Sequence, residues 1–474
     1  MKQSKLKLFL ENFLFYGGLS MLSKSIPFFT LPILTRLLKD PSVYGVSDMF
    51  NLVISFGSAL GILGIYDAVF REYFEKNEDE DYKNQVTSTG LGIVCCSSIC
   101  IVMFIIFFRQ KISLFLFTDT KYHNMIILSA IGIGINSLNA IISSPTRMKN
   151  QRKVFLITGL MFPAIGFATT YYLVKKNYTY EALLYGTIFM NFISLSVFYV
   201  LNKEHFCLKN FNSKIVRELL KIGLPLVPTF IIYWIFNSMN RIMINKILDA
   251  SELGIYSVGA KVALISQLVY TAFSGGWSYF AFSTMKDENQ VRNNSMVFEY
   301  LGIISFTIFI LIQPFVKVIF STFFTGDYIR GHEVFSYLFL SPLLLMLFQV
   351  IANQMLVIKK SYLPTLSLVI GALLNILLNY YLIRINGIGG AAFSTLLSYI
   401  VSVFIMGLIC VKYKMLLLEK RFIFISMGLF IGIVINFNFE NKMFLIYIIY
   451  LLILFLIIVL YIKDIKYFFK NIKK

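Results

Sequence analysis

DPSVYG, residues 40 to 45, and DASELG, residues 249 to 254, stand 209 positions apart, and each breaks a long apolar stretch of the chain. Sliding the sequence against itself by that offset sets Asp40, Ser42 and Gly45 on Asp249, Ser251 and Gly254. The register does not drift downstream. Asn84 meets Asn293, His123 meets His332, and Tyr171, Tyr172, Leu173 and Asn177 meet Tyr380, Tyr381, Leu382 and Asn386, while Lys83 and Lys175 pair with Arg292 and Arg384. One such pair is a coincidence; an ungapped series from position 40 to position 177 is an internal repeat.

Working outward from the two hexapeptides, the chain divides into apolar runs of about twenty residues, the length that crosses roughly 30 Å of hydrocarbon as a helix. Fourteen runs can be laid down: 10–34, 44–70, 86–108, 124–145, 154–174, 181–201, 222–240, 254–284, 299–316, 332–358, 362–383, 389–411, 422–437 and 443–462. Composition agrees, since 58% of the 474 residues are hydrophobic and 14% charged, with a mean hydropathy of +0.75. A soluble domain carries about a quarter charged residues and could not hide this much apolar surface. The expected class is an all-α membrane protein of about fourteen transmembrane helices. Nine of the ten prolines fall in or beside these runs, where neighbouring helices satisfy the freed backbone groups.

The formal charge of +19 suggests nucleic acid at first sight. A nucleic-acid binder gathers Lys and Arg on one solvated face, whereas here they are spread through short loops, so membrane topology is the better account. With the N-terminus inside, alternate loops place 28 basic residues on the cytoplasmic side against 13 outside, and Lys24 and Lys261 lie within spans. Both termini are then expected in the cytoplasm, in a multi-pass membrane protein. The run after Lys2, Lys5 and Lys7 is too long for a signal-peptide core and reads as the first span. Cys95, Cys96, Cys100, Cys207 and Cys410 form no CxxC pair and no metal motif.

An offset of 209 carries six crossings, an even number, so both units enter the membrane from the same side. Their pseudo-two-fold axis should run along the membrane normal, the arrangement in which a substrate path lies between the halves and opens to either side by rocking. The expected organisation is an N-terminal six-helix unit over 1–210, a second over 211–420, and a terminal helix pair with a basic tail over 421–474.

Two passages carry a family likeness. GLPLVPTFIIYWIFNSMNRIMI, Gly223 to Ile244, with ELGIYSVGAKVA, Glu252 to Ala263, resembles the seventh and eighth helices of the polysaccharide exporters and O-antigen-type flippases of the multidrug/oligosaccharidyl-lipid/polysaccharide exporter superfamily. ALLNILLNYYLIRINGIGGAAFSTLLSY, Ala372 to Tyr399, resembles their eleventh and twelfth. The resemblance implies a V-shaped bundle that moves undecaprenyl-pyrophosphate-linked oligosaccharide from the inner to the outer leaflet for surface polysaccharide synthesis. Membrane lipids and a polysaccharide polymerase are the partners it admits. No bound cofactor is expected, and the direction is supplied either by an ion gradient, of H+ or Na+, or by removal of product outside. Where relatives often carry Asp-Arg at the end of the seventh helix, this chain has Asn240-Arg241, which takes the adjacent carboxylate away from Arg241.

Charges inside spans mark candidate sites, because an unpaired one costs about 2.5 to 3.5 kcal/mol near the bilayer centre. Lys24 and Lys261 are expected to face a cavity and meet the pyrophosphate of the lipid; the alternative is that their ammonium groups snorkel to an interface. Arg241, read as lying at a helix end, is a third candidate, with interfacial anchoring as its alternative. Asp67 and Arg71, one turn apart, are either a cytoplasmic gate or an ordinary i,i+4 pair. Gln267, Asn353, Gln354, Asn375 and Asn379 offer amides that either line a sugar path or bond neighbouring helices, with Asn375 and Asn379 on one helical face. His123 and His332 are equivalent by the repeat and invite the idea of a protonation gate or of shared ancestry alone.

Other classes fit less well. A polymerase or ligase would need a long extracytoplasmic loop with a catalytic cluster, and the chain has no GxxxxGK[ST] loop for ATP phosphates, so a transporter is expected rather than an enzyme. The rival within the superfamily is a cation-coupled drug antiporter, which would hold acidic residues deep in its cavity. On this reading the mid-span charges are Lys24 and Lys261, and a cationic cavity favours an anionic substrate.

Overall fold

The structure, a computed structural model, describes residues 26, 28–75, 79–285, 287–360, 362–438 and 443–472. Lys24 lies outside them. The described residues fold as helices joined by short turns, with no strand among them. In chain order these are α1 (Phe28–Leu37), α2 (Ser42–Ile62), α3 (Ile65–Glu75), α4 (Glu80–Phe107), α5 (Arg109–Phe117), α6 (His123–Ile142), α7 (Ser144–Met148), α8 (Arg152–Lys175), α9 (Tyr180–Asn202), α10 (Ser213–Gly223), α11 (Val227–Ile247), α12 (Ala250–Ala263), α13 (Ile265–Ser283), α14 (Gln290–Phe323), α15 (Gly331–Leu338), α16 (Leu340–Val357), α17 (Tyr362–Lys412), α18 (Lys420–Asn438) and α19 (Met443–Ile472).

Ten helical segments among the described residues are long and apolar enough to cross a membrane, or eleven when α12 and α13, bent by 41° at their junction, count as one. The chain is therefore a multi-pass helical membrane protein. α17 holds two of the expected crossings. Its backbone leaves the helix at Asn386 and Gly387, where Gly387 takes φ 55°, a left-handed value that costs glycine little. Pro163 and Pro314 sit inside α8 and α14, as anticipated for helices whose neighbours supply the missing bonds.

The repeat that opens the sequence has a local cause. Asp249 caps α12, its carboxylate accepting from the Glu252 amide at 2.8 Å. Asp40 does the same service ahead of α2, accepting from the Ser42 amide at 2.9 Å and the Ser42 hydroxyl at 2.7 Å. A carboxylate is favoured there because it satisfies orphan amides and meets the positive end of the helix dipole. His123 and His332 share a geometry too, each Nδ1 lying 2.9 and 2.8 Å from the carbonyl three residues earlier, on Thr120 and Ile329.

The glycine of each hexapeptide decides how the halves meet. A Cβ at Gly45 would sit 1.8 Å from the Ala250 carbonyl oxygen, and one at Gly254 would sit 1.8 Å from the Pro41 carbonyl oxygen. Pro41 and Ala250 are themselves 209 apart, so the contact is reciprocal, as a two-fold crossing requires. Only glycine permits this approach of backbone to backbone. Tyr328, fully buried, donates from its hydroxyl to the carbonyls of Leu38 and Asp40 at 2.9 and 3.2 Å, adding a second tie at the same end.

α18 and α19 pack on α14 through an ionic cluster. Arg421 pairs with Glu299 at 3.0 Å, Glu419 at 2.7 Å and Asp464 at 2.5 Å. Tyr461 donates to Glu299 at 2.5 Å and presents its ring to the Arg421 guanidinium.

Candidate substrate cleft

One turn along α2 from the glycine crossing lies Asp48, and one turn along α12 from it lies Ser257. These two positions are related by the repeat, and the Ser257 hydroxyl donates to the Asp48 carboxylate at 2.8 Å across the axis. Asp48 is 7% exposed. A carboxylate so placed within a membrane span needs a counter-charge, and Arg241 of α11 supplies it, Nε lying 2.8 Å from Oδ2.

Beyond this pair α2 and α11 enclose a cleft of about 380 Å³. Its walls are two helical faces: Asp48, Asn51, Leu52 and Ser55 on α2, and Trp234, Ser238 and Arg241 on α11, at the spacings of three and four that stack side chains on one side of a helix. The walls close again at the far end, where the Trp234 indole donates to the Ser55 hydroxyl at 3.0 Å and packs against Phe56 with ring centroids 4.6 Å apart and planes tilted by 45°. Arg241 also borders a second cleft of about 180 Å³, lined by Gln267, Tyr270, Ser341, Thr395 and Tyr399. One guanidinium thus faces both spaces.

Lys261 stands in the last turn of α12, ahead of the bend. Its ammonium lies 5.1 Å from the centre of the Tyr44 ring on α2, a cation–π contact that spans the two halves. Lys261 itself lines neither of the two clefts.

The other candidates fall elsewhere. Asn375 and Asn379 are buried: Asn379 donates to Asn375 at 3.0 Å and to Asn240 at 2.5 Å, and Asn240 in turn donates to Thr395 at 2.6 Å and Tyr256 at 3.1 Å. The chain of amides ties α11, α12 and both parts of α17 behind the cleft. Gln354 accepts from Gln290 at 2.6 Å and is buried, as is Asn353, away from both clefts. Gln267 alone of the five amides lines a cleft.

Two expectations need correction. Asp67 and Arg71 make no ion pair with each other among the described residues; both are exposed on α3, which follows a break at Leu63 and Gly64. Arg241 is not at a helix end, because α11 continues to Ile247, and it is not without an acidic partner, because Asp48 reaches it from the other half. Asp48 is not among the candidates its sequence pattern suggested. The signal was available, an acidic residue inside the second span, 209 positions before Ser257.

The larger cleft thus lies between α2 of the first repeat unit and α11 of the second, with Asp48 and Arg241 in its wall. Residues 33–331 match the family described as polysaccharide biosynthesis protein, and the chain belongs to it. Among solved structures the fold is similar to the lipid II flippase MurJ in its inward closed conformation, at 17% identity and a TM-score of 0.71, covering 95% of this chain and 99% of that one. It is also similar to an inward-facing multidrug resistance MATE family transporter of the MOP superfamily, at 12% identity and a TM-score of 0.60, covering 83% and 94%. A MOP superfamily transporter from Pyrococcus furiosus Vc1 aligns at 12% identity and a TM-score of 0.51, covering 85% and 96%. No curated protein matches the chain.

Proposed function

We propose that this protein carries an undecaprenyl-pyrophosphate-linked oligosaccharide from the inner to the outer leaflet of the bacterial cytoplasmic membrane, by alternating access, to supply surface polysaccharide synthesis. The observation that carries the reading is Arg241, partly exposed between the halves, bordering both clefts and reinforced by Lys261. The diphosphate offers two negative groups to this locus, and a guanidinium grips phosphate oxygens in bidentate fashion. The smaller cleft suits the first sugars, since Gln267, Tyr270, Ser341 and Tyr399 offer donors, acceptors and aromatic faces. The lipid tail remains in the bilayer beside the bundle. Membership of a polysaccharide biosynthesis family and a flippase-like fold support the same assignment. The ends carrying Asp40 and Asp249 face outward in this reading, and both termini are cytoplasmic.

Alanine at Lys24, Lys261 or Arg241 is expected to abolish surface polysaccharide with protein level unchanged. Normal polysaccharide in all three would overturn the cationic cleft. The buried carboxylate of Asp48 favours a second reading, a cation-coupled drug antiporter, but in this structure Arg241 already neutralises it. Cells expressing the protein should therefore show no added efflux of cationic dyes.

A further inference from the structure

Asp48 belongs both to the closure of the halves and to the cleft. On one side it lies a turn from the Gly45–Gly254 crossing and accepts from Ser257 of the opposite half. On the other it holds Arg241, the residue that borders both clefts. Asp48 is nearly buried, while the Arg241 side chain is 26% exposed, so an anion in the cleft can reach the guanidinium from the side that Asp48 leaves open.

We propose that Asp48 is an exchangeable latch: an anionic headgroup entering the cleft takes Arg241 away from Asp48, and the loss of that ion pair releases the glycine crossing beside it. The proposal rests on the lipid-pyrophosphate reading for the identity of the anion, though not for the latch itself. A ligand moves a two-state equilibrium only through contacts that differ between the states. Here the differing contact is the ion pair, present in the closed form and replaced by a protein–diphosphate pair in the open one. The guanidinium is never left bare, so opening is cheap only when an anion is present. Lys261, held on the Tyr44 ring between the same helices, adds charge that draws the diphosphate to the latch.

The test uses the full chain in lipid nanodiscs, its five cysteines replaced, with spin labels on Lys175→Cys and Arg384→Cys. These positions are equivalent by the repeat, exposed, and on opposite halves at the crossing end. Pulsed electron spin resonance then reads the separation of the halves. Unliganded protein should give one short distance. Inorganic pyrophosphate, compared with an equal ionic strength of chloride, should raise the long-to-short ratio by about fivefold or more, the lower end of common allosteric couplings. Asp48→Asn should raise it similarly without ligand and should bind pyrophosphate more tightly, because the competing carboxylate is gone. Arg241→Gln should also open the halves but lose the response to pyrophosphate.

An Asp48→Asn distribution identical to the parent, with Arg241→Gln also unchanged, would overturn the latch. Pyrophosphate that binds without altering distances would overturn the exchange and leave the anion reading standing. Pyrophosphate that does not bind, with Asp48→Asn still open, would keep the latch and remove the anion reading.

Discussion

Two of the ionic clusters that hold helices together in this protein are built to different rules. At the terminal pair Arg421 is surrounded by Glu299, Glu419 and Asp464, with Tyr461 stacked on its guanidinium and bonded to Glu299. Losing one acid leaves two. Between the halves Arg241 has, among the described residues, the single carboxylate of Asp48, and that pair opens onto a cleft. The redundant cluster suits a permanent attachment of α18 and α19 to α14, and the solitary one suits a contact that must break in each cycle. Redundancy, rather than the number of charges buried, separates a clamp from a latch.

The largest effect that would break this comparison is expected at the crossing itself. Gly254→Leu places a side chain against the Pro41 carbonyl, so the halves cannot close; surface polysaccharide should vanish, and the short distance between labels at Lys175 and Arg384 should be absent. Arg421→Ala comes next. Removing the common partner leaves Glu299, 5% exposed, without a cation, and thermal unfolding in detergent should report a loss on the order of 3–5 kcal/mol. A variant as stable as the parent would show that the cluster is no clamp. Glu419→Gln removes one of three acids from an exposed position and should cost about 0–1 kcal/mol in the same measurement.

Asp48→Asn sharpens the contrast. It keeps a side chain that accepts from Ser257, so stability should fall by only about 1 kcal/mol while transport of lipid-linked sugar falls sharply. A loss as large as that of Arg421→Ala would mean that the two clusters do the same job. The smallest effect is expected for Arg71→Gln. Exposed and unpaired with Asp67, it should change both stability and transport by less than about 0.5 kcal/mol equivalent.

Much of the fold was legible from residue order, because a bilayer imposes a length and a polarity on every crossing. The runs at 44–70, 86–108, 124–145 and 332–358 coincide with helical segments Ser42–Glu75, Glu80–Phe107, His123–Met148 and Gly326–Val357. Boundaries are least legible where a charge lies inside a helix: the seventh run, 222–240, stops short of Arg241, yet α11 carries that arginine inward and pairs it. Of the candidate residues, Arg241 and Gln267 line a cleft, whereas Lys261 lines neither. Asn375 and Asn379 were correctly set on one helical face, but which way that face turns depends on Asn240, Tyr256 and Thr395, brought from distant parts of the chain.

By itself the sequence determined a helical membrane protein, the offset of its repeat and the excess of positive charge, since hydropathy, periodicity and composition are properties of neighbours along the chain. The tertiary structure decided that Gly45 and Gly254 touch, that Asp48 answers Arg241 from the opposite half, and that one guanidinium overlooks two clefts. Such pairings depend on how helices cross, and a crossing is set by packing between segments that no local pattern connects.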